Sequence, residues 1–162
     1  TGATVHVLNH ALIKSTLFLA AGALIHQTGY RTLHDLRGVG RVMPWTCLAL
    51  SIGVLAVVGL PPTAGFLGKW YIALGALEGG RPGFALVVLL GALLVFMYLG
   101  RMLNAFYFRA PRQERMLAVR EAPAAMLAPV LLLAALSVLF GLFGSGPVAL
   151  VAPAVDRLAG GG

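Results

Sequence analysis

Three side chains able to hold a labile proton, His6, His10 and Lys14, recur every fourth residue near the start of the chain, and a fourth, Lys69, follows the pair Pro61-Pro62. Helical residues advance by about 100° each, so a four-residue step drifts by roughly 40° and the three positions share one broad face. At a rise of about 1.5 Å per residue they span about 12 Å, with Asn9 beside them. The chemistry open to such a stripe is proton relay, since buried amines and imidazoles can alternate between charged and neutral forms. The competing reading is structural: the histidines hydrogen-bond to neighbouring helices and Lys14 snorkels to an interface. Lys14 lies near the middle of an apolar run, where snorkelling is hard, while the histidines fit both readings equally.

Lys69 sits in Gly65-Phe66-Leu67-Gly68-Lys69-Trp70-Tyr71. Pro61, Pro62, Gly65 and Gly68 interrupt an otherwise hydrophobic stretch, which predicts a discontinuous helix of the kind transporters use to build ion sites. The alternative is an interfacial anchor, because Trp and Tyr favour that belt. The choice between lysine and arginine bears on this. Of the 12 basic Lys and Arg residues, two are lysines and the remaining ten are arginines. The arginines fall in loops or near the ends of apolar runs, whereas both lysines stand inside such runs among small residues. Arginine stays charged in any protein environment and cannot ferry a proton; a buried lysine can.

These residues need elements to position them, and the chain supplies long apolar ones. Hydrophobic residues make up 59% and charged residues 10% of the 162 residues, and the mean hydropathy is +0.91. A water-soluble surface cannot be made from so few charges, so the expected class is an integral membrane protein. The runs extend over about 4–28, 44–59, 66–77, 84–108 and 123–144, separated by basic or Gly/Pro-rich loops. Pro44 suits a first helical turn, and Gly29 suits a terminator. Continuous apolar runs without period-2 alternation argue against a β-barrel. The expected architecture is all-α: one polytopic membrane bundle over residues 1–162, with about five transmembrane helices and a break between Pro61 and Lys69. The loop arginines divide five against four between alternate ends, which is no positive-inside bias.

The net charge of +7 does not point to nucleic acid, since the basic side chains sit where lipid headgroups attract them. A single cysteine, Cys47, excludes an intrachain disulfide and a cysteine-ligated cluster, and it reads as a packed side chain. No phosphate loop, metal-spaced set or nucleophile–base pair is present, so no cofactor and no redox site is expected in this chain. The first residues already belong to a hydrophobic run, which predicts a part of a longer polypeptide.

The segments 6–18 (HVLNHALIKSTLF), Asp35-Leu36-Arg37-Gly38, Met43-Pro44 and 59–71 (GLPPTAGFLGKWY) resemble the antiporter-like membrane subunits. These are shared by respiratory complex I (NADH:quinone oxidoreductase), the multisubunit Mrp cation/proton antiporters and membrane-bound hydrogenases, with greatest likeness to the Mrp D-type and complex I N-type subunits. The resemblance covers essentially the whole chain. It implies the C-terminal part of a fourteen-helix protein, ending its second inverted repeat. It implies that Lys14 and Lys69 lie on a central hydrophilic axis, Lys69 on the broken helix of the exit half-channel, with His6 and His10 bridging the half-channels. The N-terminal half, with the family's glutamate–lysine pair, falls outside this chain. The expected partners are other membrane subunits of one complex, the lipid bilayer, protons and, for an antiporter, exchanged Na+. The expected location is a bacterial or archaeal cytoplasmic membrane. Rival expectations are a non-conducting structural subunit, or a solute transporter with a midplane anion site.

Overall fold

The computed structural model describes residues 2–111 and 114–144, with 146, 149 and 153 beyond them; Arg112 and Arg157, counted among the loop arginines, lie outside the described residues. The described residues form five α-helices and connecting turns, with no strand among them. They are α1 (Gly2–Thr28), α2 (Pro44–Val58), α3 (Ala64–Glu78), α4 (Pro82–Tyr107) and α5 (Ala124–Leu142). Within α1 the stretch His6–Thr28, together with all of α4 and α5, is long and apolar enough to cross a membrane. At 15 residues each, α2 and α3 reach about 22 Å apiece, short of the roughly 30 Å hydrocarbon core. They are the two arms on either side of the expected break.

Local signals set most of these ends. Pro44 opens α2, where a missing N–H costs nothing. Gly59 closes it in the left-handed conformation (φ 85°), and its N–H donates to the Leu55 carbonyl at 2.9 Å. Residues 59–63, including Pro61 and Pro62, form the break. Gly65 and Gly68 lie beyond it, in the first turns of α3, where they serve close packing rather than interruption. A side chain at Gly65 would put its Cβ 1.7 Å from the Ala56 carbonyl oxygen, so glycine alone lets the two arms meet.

The core forms where α1, α2 and α5 converge on the end of α4. It contains Leu24, Val39, Met43, Cys47, Val54, Phe106 and Val130, with Cys47 fully buried. Without a hydrophobic driving force between helices in lipid, small residues allow the close approach that dispersion requires, and Ala20, Ala23, Ala49 and Ala134 fill that role here. The third helix packs against α1, α4 and α5.

One device is not local. Glu121 reaches the N-terminus of α2 from just before α5. Its Oε2 accepts from the Trp45 N–H at 2.8 Å and the Thr46 N–H at 3.4 Å, and its Oε1 accepts from the Thr46 hydroxyl and the Ala122 N–H. Trp45 and Thr46 carry two of the backbone donors that a helix start leaves unsatisfied, and a carboxylate there also complements the helix dipole. Replacing Glu121 with alanine should therefore cost about 1–2 kcal/mol, the worth of a good helix cap. Thermal unfolding in detergent would register it, with Glu121→Gln losing less.

Candidate functional site

Lys69 lies on the second turn of α3, with its ammonium turned back onto the end of α2. Its Nζ donates to the Val57 carbonyl at 2.7 Å and the Val58 carbonyl at 2.8 Å. The last carbonyls of a helix have no intrahelical donor and form the negative end of its dipole, so they suit a cation. The side-chain stem crosses Gly59, where an added Cβ would lie 2.8 Å from Lys69 Cδ. The end of α2 thus supplies the acceptors, and Gly59 in the break leaves space for the stem.

A cavity of about 210 Å³ adjoins this junction, lined by His6, Asn9, His10 and Lys69 on its polar side, with Ile13, Val57 and Val95 among its apolar walls. Asn9 is fully buried; its Nδ2 donates to the Ala64 carbonyl at 2.8 Å, tying α1 to the start of α3. Asn9 Oδ1 and His6 Nδ1 are buried with no hydrogen-bond partner among the described residues. Buried polar atoms are rarely left so, and water supplies the missing bond where space and several polar groups allow. The volume suffices for several water molecules. The His6 and His10 rings are 5.9 Å apart between centroids, and Gly68 admits His6, whose Nδ1 would be 2.9 Å from a Cβ placed there. The cavity thus brings two imidazoles, an amide and an amine around one space.

Lys14 is not brought to this cavity. It stands on the exposed flank of α1, with its Nζ 5.8 Å from the centroid of the exposed Phe18 ring. The drift of the four-residue repeat accounts for this. Two steps turn the stripe by roughly 80°, carrying it from half-buried His6 through exposed His10 to exposed Lys14. The inward face of α1 instead carries Asn9, Ile13, Thr16 and Ala20. Asn9 stands beside the stripe in the sequence, but its role as the buried link to α3 depends on helix rotation. Ser137 on α5 is a further fully buried polar group, its Oγ without a partner among the described residues. Its position in an apolar run carries no signal.

The described residues thus form a helical membrane bundle with a lysine beside a helix break and a polar cavity, and comparison with known proteins gives its family. Residues 1–96 match the family described as NADH:quinone oxidoreductase/Mrp antiporter, transmembrane, and the chain belongs to that family. It is 39% identical over 153 residues to NADH-quinone oxidoreductase subunit N of Desulforudis audaxviator, covering 88% of this chain and 30% of the relative. It is 35% identical over 155 residues to hydrogenase-4 component B of Escherichia coli, covering 89% and 23%. With a Na(+)/H(+) antiporter subunit of Alkalihalophilus pseudofirmus it shares 34% over 149 residues, covering 85% and 18%. Among solved structures it resembles a chain of the membrane-bound sulfane sulfur reductase, an archaeal respiratory membrane complex. There the TM-score is 0.78 at 33% identity, over 86% of this chain and 23% of that one. The chain thus spans less than a third of the length of these relatives. It is an integral membrane protein of a family whose members include subunits of multisubunit complexes.

Proposed function

We propose that this segment carries protons through the membrane arm of a complex of NADH:quinone oxidoreductase or Na+/H+ antiporter type, in a bacterial or archaeal cytoplasmic membrane. Lys69 is the proton-carrying group, and His6, His10 and cavity water relay to it. One observation carries this reading: the Lys69 ammonium sits at a helix break, beside a cavity that holds two further polar atoms in need of partners. The family membership supports it, since relatives are named as antiporter and quinone oxidoreductase subunits. Lys14, on the outer flank of α1, continues the path on the far side of that helix, against parts of the assembly beyond these residues. Redox energy or Na+ exchange drives the transfer, and other membrane subunits supply that coupling.

A second reading has its own observation. Two short bonds from Lys69 to α2 are also what a purely structural clamp requires. Lys69→Arg separates the two. An arginine keeps the charge and can still donate to both carbonyls, but it does not release a proton at accessible pH. For a carrier, proton uptake into vesicles containing the reconstituted Lys69→Arg complex should be lost while the complex stays assembled. Retained uptake would establish the clamp and end the carrier reading.

A further inference from the structure

A second cavity lies away from Lys69. It is a cleft of about 580 Å³ where the 29–43 loop meets the last turns of α4, and it shares no lining residue with the Lys69 cavity. Its lining includes three basic residues: Arg37 from the loop, Arg101 from α4, and Arg109 just past the end of α4. It also includes apolar residues: Leu33 from the loop, and Phe96 and Met97 about one turn before Arg101 along α4. The walls are held in register by the Gly38 N–H, which donates to the Ala105 carbonyl at 3.0 Å and fixes Arg37 opposite α4. Among the described residues none of the three guanidiniums has a carboxylate at ion-pair distance, while His34, also in the lining, lies 3.8 Å from the Asp35 carboxylate. Three like charges around one cleft repel each other and leave a field that favours an anion.

The rest of the cleft indicates which anion. Arg101 precedes the end of α4 at Tyr107 by six residues, about 9 Å along the axis, from where a long arginine side chain snorkels to the headgroups. Phe96 and Met97 continue into the outward face of α4, where Leu86, Leu89, Leu90, Leu93 and Leu94 are all exposed. A free phosphate gains nothing from an apolar wall leading toward hydrocarbon, and neither does a hydrated acidic loop. A diacyl lipid uses both parts. Guanidinium forks match phosphate oxygens in pairs, and basic pockets at the ends of membrane helices suit anionic headgroups.

We propose that this cleft is a binding site for an anionic phospholipid, with its phosphate among Arg37, Arg101 and Arg109 and one acyl chain along Phe96 and Met97. The proposal is independent of proton carriage by Lys69. It is tested on the complete subunit in its native complex, using phosphatidylglycerol and phosphatidylcholine that each carry a photoactivatable group on one acyl chain, followed by peptide mapping. Phosphatidylglycerol should label the stretch containing Phe96 and Met97, and phosphatidylcholine should not. Labelling should fall by about tenfold in Arg101→Gln, the effect of one lost charge-assisted contact. That side chain is exposed, so the variant keeps its fold; the triple variant Arg37→Gln/Arg101→Gln/Arg109→Gln should lose labelling altogether. Equal labelling by both lipids, or labelling unchanged in Arg101→Gln, overturns the proposal. So does displacement by millimolar inorganic phosphate, which would make this a simple anion site. Cross-linking of the same stretch to a neighbouring protein in place of lipid would make it a protein interface.

Discussion

Replacing Lys69 with alanine should abolish proton translocation by the assembled complex while leaving the complex itself intact. The first half follows from chemistry: alanine leaves the cavity with His6 and His10 but with no amine at the helix break. The second half follows from energetics. The variant removes the donor to the Val57 and Val58 carbonyls, and bonds to a charged group are worth about 1.5–3 kcal/mol net. Cavity water can reach the freed carbonyls, so the loss falls at the lower end. Translocation in reconstituted vesicles and subunit composition after purification measure the two halves separately. A complex that pumps normally without Lys69 would remove it from the path.

The second large effect is expected at Gly65, and it is steric. An alanine there places a methyl carbon 1.7 Å from the Ala56 carbonyl oxygen, a backbone atom that cannot rotate aside. Overpacking against movable side chains costs about 1–3 kcal/mol, and a collision with backbone belongs at the top of that range or above it. The two arms must separate, and Lys69 is pulled from its carbonyls as they do. Gly65→Ala should therefore reduce both accumulation of the assembled complex and its activity. Gly75→Ala is the matched control on the same helix. Nothing lies within 4 Å of a Cβ there, and exchanging a helical glycine for alanine gains about 0.5–1 kcal/mol. If both variants assemble equally well, the contact between α2 and α3 is not structural.

What could be read from the sequence and what could not divide along a physical line. Pro44, Gly29 and Gly59 act on their own backbone, so helix ends at those places were open to local reasoning. The break at Pro61-Pro62 was legible for the same reason, as was the place of a lysine beside it. The spacing of His6, His10 and Lys14 was legible too, but the rotation of α1 about its own axis was not. That angle is set by what packs against it, and here Asn9 and Ile13 face inward while Lys14 faces out. Glu121 gave no local hint at all, since it serves a helix start 75 residues earlier. The arginine cleft is hidden for a similar reason: Arg37 and Arg101 come from segments that the folded chain brings together. Gly65 reads as a breaker because glycine weakens helices, whereas its missing side chain is needed at a contact that no local pattern encodes.

The grip on Lys69 has a directional consequence. An ammonium group has three protons, and two are committed to Val57 and Val58; the third has no acceptor among the described residues. If that one departs toward the cavity, the neutral amine keeps both bonds and leaves its lone pair where the proton had been. Loading and unloading then occur at a single orifice, with no swing of the side chain between them. On the proposed role, alternation of access then comes from rearranging the surrounding solvent, with the lysine as a fixed turnstile.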